Sequence, residues 1–298
     1  MIIWRIHDGK PGHDHQSQGL VNALSNHTAV DCHNLRPVST VTGIINYFQK
    51  KFPSGKSFPK PDLIIGAGHG THLSVLCAQR IYGGKTVIIM QPSLPTAMFD
   101  FCLIPEHDKP GIADNIIVTR GAINMMVPST QQSDDRGIIM IGGPSKHFGW
   151  NTSDLLKQIE NIANKSINVS WQITDSPRTP DITHKSLQEL NIKNVVFHSC
   201  KNTPEDWLPR QLVNSKYSWV TADSMSMIYE SLTAGAATGI LDVPEKNPNK
   251  ISHDISTLKQ DGMITFYNDW RTGQQLSPPP VVINEAGRCA KELISKLS

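Results

Sequence analysis

Near the midpoint of this 298-residue chain stands Ile138-Ile139-Met140-Ile141-Gly142-Gly143-Pro144-Ser145-Lys146, a buried-strand sequence that stops in a glycine turn. Four apolar residues without alternation read as a strand covered on both faces, as in a parallel sheet with helices on either side. The first half repeats the device: Asp62-Leu63-Ile64-Ile65 runs into Gly66-Ala67-Gly68-His69-Gly70, then into an apolar helix through Ile81. Further strands are expected at Ile2–Ile6, Thr86–Met90, Phe101–Ile104 and Ile116–Thr119, with a polar loop over His7–Gln16 and Leu20, Val21 and Leu24 on a helix face. In the second half, Leu155, Leu156, Ile159, Ile162 and Ala163 form a helical stripe, and strands are expected at Val169–Ile173, Val195–His198, Trp219–Thr221 and Thr238–Leu241.

The fold class is therefore α/β, two Rossmann-like domains facing a cleft. The polar, turn-rich stretch Pro128–Arg136 separates an N-terminal domain, 1–130, from a C-terminal one, 137–298. The amphipathic helix after Pro278–Pro280, spanning 284–298, is free to pack across either domain.

Charge narrows the partners. The chain carries 28 basic and 26 acidic residues, 11 against 10 up to Asp135 and 17 against 16 after it. That balance argues against nucleic acid as a partner, while a pI near 8.2 is compatible with contact at an anionic membrane surface. Five scattered cysteines without a CxxC pair, no signal-peptide pattern and no apolar run of membrane-spanning length point to a cytoplasmic protein.

Ligands of open parallel sheets sit outside the carboxyl ends of the strands, so the strand-end loops carry the functional evidence. Gly142, Gly143, Ser145 and Lys146 combine close backbone approach, a hydroxyl and a cation, a set suited to a diphosphate; a plain turn with a solvated lysine is the alternative. After the strand ending at Thr221, Asp223 is a suitable helix N-cap. The Ser224 hydroxyl and the N–H groups of Met225 and Ser226 would then reach phosphate. Glu230, four residues after Ser226, would accept hydrogen bonds from two vicinal ribose hydroxyls, unless it is a merely solvated helical glutamate.

The first half supplies Lys10, Gly12, His13 and Gln16 in its opening loop. Gly68, His69 and the nearby His72, then Gln91, Glu106 and His107, follow at later strand ends. These histidines could provide a general base near neutral pH. Imidazole and carboxylate also suit zinc or iron, but no defined ligand spacing is present and no metal site is expected. Gly66-x-Gly68-x-Gly70 is not the dinucleotide spacing, and Tyr47-x-x-x-Lys51 falls too early for a short-chain dehydrogenase.

Gly9-Lys10-Pro11-Gly12-His13, Gln91-Pro92-Ser93, Pro105-Glu106-His107-Asp108, Gly142-Gly143-Pro144-Ser145-Lys146 and Ala222-Asp223-Ser224-Met225-Ser226-Met227 together resemble the elongated-mitochondria fission factor family, with plant and bacterial members. The resemblance implies a GT-B glycosyltransferase-type fold. More distantly, the loops are similar to those of the N-acetylglucosamine transferase of peptidoglycan synthesis. By that similarity, His13 would be the acceptor's general base, Gly142-Gly143 the loop opening the donor domain and Glu230 the ribose ligand. Pro144 before Ser145, and Asp223-Ser224-Met225-Ser226 in place of a Ser-x-Gly turn, are departures from it.

Two functions follow as expectations. One is sugar transfer from a nucleotide-diphosphate donor, with no obligatory cofactor, the first domain holding the acceptor and the second the nucleotide. The other is a non-catalytic role recruiting a protein partner, as in plant mitochondrial fission.

Overall fold

The apolar run at the amino terminus forms β1 (Ile2–Ile6), a central strand of the first of two parallel sheets. The computed structural model describes residues 1–247 and 250–297. It divides into two units, Met1–Met125 with the chain's end from Asn284, and Met126–Ile283.

In the first unit, β1 leads to α1 (Pro11–Ser25), β2 (Asp31–Leu35), α2 (Thr40–Gln49), β3 (Leu63–Ala67), α3 (His72–Tyr82), β4 (Lys85–Ile89), β5 (Phe101–Pro105) and β6 (Ile116–Thr119). The strands lie in the order β2-β1-β3-β4-β5-β6, every pair parallel. Successive side chains face opposite layers, so Ile3 and Ile65 pack with Leu20 and Leu24 of α1, while Trp4 and Ile64 pack with Val75 of α3. The loop expected over His7–Gln16 is a loop only to Lys10. Pro11, its φ pre-set for a helix start, opens α1 and puts Gly12, His13 and Gln16 in its first turns.

The second unit runs β7 (Ser133–Met140), α4 (Thr152–Lys165), β8 (Ser170–Thr174), α5 (Asp181–Gln188), β9 (Val195–His198), α6 (Trp207–Asn214), β10 (Ser215–Thr221), α7 (Met225–Ala234), β11 (Ala237–Leu241), α8 (Lys250–Gln260), β12 (Thr265–Phe266) and α9 (Tyr267–Arg271). Its order is β12-β11-β10-β7-β8-β9, again all parallel. Two indoles anchor this sheet. Trp171 and Trp219 lie against Gly137 and Gly239, where a Cβ would come within 2.3 Å of each ring. Each buries on the order of 200 Å², about 5 kcal/mol of hydrophobic stabilisation as an upper figure.

The unit division falls between Met125 and Met126, and the polar segment Ser133–Arg136 is the start of β7 rather than linker. The last helix, α10 (Glu285–Leu297), belongs to the first unit. Its apolar stripe, Ala286, Cys289, Ala290 and Leu293, joins the core layer that holds α1. The Arg120 N–H donates to Glu285 (3.0 Å), fixing the helix start beside β6. Among the described residues, no helix is long and apolar enough to cross a membrane.

Candidate functional site

Each sheet has one point where the strand order reverses, and there the loops on either side part to leave a crevice at the carboxyl ends. In the first unit that point lies between β1 and β3. His13, from the first turn of α1, meets Gly68, from the loop after β3. A Cβ on Gly68 would fall 2.2 Å from the His13 ring, and Gly68 has φ +78°. Glycine is required there on both counts.

His13 Nδ1 lies 3.1 and 3.0 Å from the two carboxylate oxygens of Asp8. Burial works to raise the Asp8 pKa, but the Lys10 N–H, the His13 ring and the Lys10 charge together hold it below the ordinary value. An ionised Asp8 only accepts, so Nδ1 donates to it, and in the neutral ring the lone pair is then on Nε2. Both side chains are mostly covered, while Lys10 is exposed, its ammonium 3.6 Å from Asp8. A histidine held by a carboxylate in this way has the geometry that a general base requires.

Of the other first-unit candidates, His69 lies between Gly68, at the His13 ring, and Gly70, where a Cβ would be 3.6 Å from Asp8 Oδ2. His69 and Gln91 are exposed. Glu106 and His107 form a short turn after β5, three strands from β1, about 14 Å at the usual strand spacing. His72 is buried, its Nδ1 3.2 Å from the Ser93 hydroxyl; burial, then the neighbouring His69, lowers its pKa to about 4. It stays neutral at physiological pH.

In the second unit the order reverses between β7 and β10. The Gly142 N–H donates to Thr221 Oγ1 (2.8 Å) and the Gly143 N–H to Asp223 Oδ2 (3.0 Å), tying the two loops together. Arg178, from the loop after β8, donates to the Gly143 carbonyl (3.0 Å) and to Asp223 Oδ2 (2.8 Å). Asp223 is fully covered and its Oδ1 has no partner among the described residues, whereas Arg178 remains 45% exposed. No side chain larger than hydrogen fits at either glycine: a Cβ on Gly142 would lie 2.3 Å from Asp223 Oδ2, and one on Gly143 2.2 Å from the Arg178 carbonyl.

One expectation is corrected here. Asp223 is not the N-cap of α7; Ser224 holds that place without a side-chain bond to the helix, because Asp223 is turned toward Gly143 and Arg178. After the glycine turn the next helix comes only at Thr152. Eight residues separate Gly143 from α4, whose N-cap Asn151 accepts the Asp154 N–H (3.2 Å). The intervening loop folds on itself. Ser145 Oγ accepts N–H bonds from His147 (3.2 Å) and Phe148 (3.1 Å), and the Lys246 ammonium donates to the Ser145 carbonyl (2.8 Å). Lys146 is exposed.

The helix start at this crevice is therefore that of α7. Its N–H groups at Met225 and Ser226 lack a side-chain cap, and such groups attract anions. Farther along the same helix, Glu230 is only partly exposed and has no hydrogen bond or ion pair among the described residues. Desolvation raises its pKa to about 7. A carboxylate kept off its hydration without a protein partner is suited to a ligand's donors.

Asp8, Arg178 and Thr221 were missed as partners in these sites. Asp8 sits in the histidine-rich stretch that was singled out. Arg178 follows Thr174, the end of a strand, and strand-end position was the signal that could have found it.

Known proteins resemble this chain over its whole length. An uncharacterised protein of Rickettsia prowazekii (strain Madrid E) is 24% identical over 353 aligned positions, which cover 98% of this chain and 97% of the relative. Among solved structures, a UDP-N-acetylglucosamine 2-epimerase of Listeria monocytogenes, described as putative, matches with TM-score 0.61 and 11% identity, over 99% of this chain and 95% of that one. The Neisseria meningitidis UDP-GlcNAc 2-epimerase, solved bound to UDP-GlcNAc, matches with TM-score 0.54 and 12% identity, over 99% and 100%. That of Methanocaldococcus jannaschii, in complex with UDP-GlcNAc and UDP, gives 0.51 and 11%, over 99% and 100%. At such identities the likeness is one of fold: two Rossmann-like α/β domains of the GT-B type. The family model for mitochondrial fission ELM1 matches residues 11–297, and the chain belongs to that family.

Proposed function

We propose that this protein binds a nucleoside-diphosphate sugar on its second unit and transfers the sugar to an acceptor activated on its first. The observation that carries the reading is the crevice after β7 and β10. There an uncapped helix start and a half-exposed arginine stand beside two glycines that admit no side chain, and the same helix carries Glu230, without a partner among the described residues and raised to about 7. Those features match, part by part, a diphosphate and a ribose.

In this reading Gly142 and Gly143 let Asp223 and Arg178 pack closely against the loop, which holds the Arg178 guanidinium at the crevice. The N–H groups of Met225 and Ser226 and the uncommitted N–H groups of Arg178 take up the charge that develops on the leaving diphosphate. Glu230 accepts from the ribose hydroxyls. Ser224 adds a hydroxyl to the phosphate set, whereas Ser145 and Lys146 act through the shape of their loop. On the first unit, Asp8 orients His13 so that Nε2 takes the proton of the acceptor hydroxyl as its oxygen attacks the anomeric carbon. The bound UDP-GlcNAc in two of the fold's relatives makes UDP-N-acetylhexosamines the first donors to try.

The test is release of free nucleoside diphosphate from a panel of nucleotide sugars, with cell extract as the acceptor source. His13→Ala is expected to lower turnover by roughly 10²–10⁴-fold with nucleotide affinity unchanged. A second reading, a binding protein without turnover, is favoured by the family's description as mitochondrial fission proteins. Nucleotide binding with no diphosphate release from any donor would support it and remove His13 from catalysis.

A further inference from the structure

Helix α2 is built inside out. On a surface helix, apolar residues at i, i+3, i+4 and i+7 normally face the core. Val41, Ile44, Ile45 and Phe48 keep that spacing, yet all four are exposed, Val41 by 69% and Phe48 by 77%. The residues that α2 buries are Gly43 and Asn46. Gly43 is what brings the helix down onto α3, since a Cβ there would lie 2.9 Å from Leu73 Cβ. The outward stripe is thus the consequence of a packed inner face, not of a loosely attached helix. A contiguous exposed apolar patch of this kind marks an interaction surface.

Its surroundings identify the partner. From Arg36 to Pro61 the chain carries five cations, Arg36, Lys50, Lys51, Lys56 and Lys60, and no acid, although the whole chain is nearly balanced at 28 to 26. All five are exposed. Lys50 and Lys51 directly follow α2, and Arg80 of α3 lies over the Tyr47 ring, 4.6 Å from its centre, which puts a further cation beside the helix. Asp62, the next acid, is committed to the Ile2 N–H (2.7 Å). An apolar stripe flanked by cations that make no ion pair among the described residues fits a surface that is apolar within and anionic at its face.

We infer that α2 and its flanking lysines dock the protein on an anionic lipid bilayer. Val41, Ile44, Ile45 and Phe48 enter the boundary between headgroups and acyl chains, and the cations meet lipid phosphates. The inference does not depend on nucleotide binding, so the two stand or fall separately.

The experiment is flotation of the full chain with vesicles of phosphatidylcholine alone or enriched in phosphatidylglycerol, at low and high salt. Binding is expected to the anionic vesicles only, and to weaken with salt. Lys50→Gln with Lys51→Gln should weaken it roughly 30-fold. Ile45→Asn with Phe48→Asn should weaken it roughly 100-fold or more, with the protein still folded because Phe48 is 77% and Ile45 48% exposed. No binding to anionic vesicles at low salt overturns the inference, as does binding that neither pair of substitutions weakens. A dimer in sedimentation equilibrium that Ile45→Asn with Phe48→Asn breaks would also overturn it, because the stripe would then be closed by a second copy of this chain.

Discussion

Replacing Glu230 by Gln should stabilise the protein, and only on the alkaline side of a definite pH window. Below about pH 4.5 the Glu230 carboxyl is protonated in the folded and unfolded chain alike and affects neither. As pH rises, the unfolded chain loses this proton first, while burial keeps it on the folded protein until about 7. Stability is therefore lost through that window, and the loss is complete above it. At 1.36 kcal/mol per pH unit of separation, a rise from 4.5 to about 7 corresponds to about 3 kcal/mol. Glu230 is partly exposed, and solvent screening reduces the figure to about 1–3 kcal/mol. Glutamine removes the charge but keeps the volume. Urea denaturation of both proteins at pH 4 and pH 8 is the assay. Equal stability at pH 4 and an advantage of about 1–3 kcal/mol for Glu230→Gln at pH 8 are expected. A wild-type advantage at pH 8 would refute the reasoning, since it would mean that a protein group already stabilises the ionised carboxylate.

Gly142→Ala puts a methyl group 2.3 Å from the fully covered Asp223 carboxylate and should cost about 2–4 kcal/mol in denaturant unfolding, with a parallel loss of nucleotide affinity. Unchanged stability would mean that the carboxylate does not need its present place. Gly68→Ala meets both the His13 ring and a φ of +78°, so it should cost about 1–3 kcal/mol and lower turnover more than nucleotide affinity. Equal losses of both would separate His13 from the chemistry.

Much of the fold was legible because parallel strands buried on both faces announce themselves as unbroken apolar runs. Ile116–Thr119 and Val195–His198 are found with the expected bounds. The edge strand β2, Asp-Cys-His-Asn-Leu, has no such run, and its polar residues concealed it. Helix α2 carries the apolar spacing of a helix at Val41, Ile44, Ile45 and Phe48, but that spacing would have turned the stripe toward the core, and only the structure shows it exposed. In the first candidate site, His13 could be singled out by residue type, but its pairing with Asp8 depends on α1 starting at Pro11, which the polar run through Gln16 disguised. In the second, the glycines and Glu230 stood out by their place after strands. The contact between Asp223 and Arg178, 45 residues apart, exists only because β8 and β10 flank β7 in the sheet. Local sequence carries no trace of that adjacency.

The measurement that bears most directly on the nucleotide-sugar account is a calorimetric titration of the protein with UDP, GDP, ADP, CDP and dTDP, with and without Mg²⁺, repeated on Glu230→Ala. The account predicts micromolar affinity for one base, lost in Glu230→Ala and weakened below pH 7, where ribose hydroxyls must displace a proton from the carboxyl. No binding to any of the five, or binding that Glu230→Ala leaves intact, would contradict it.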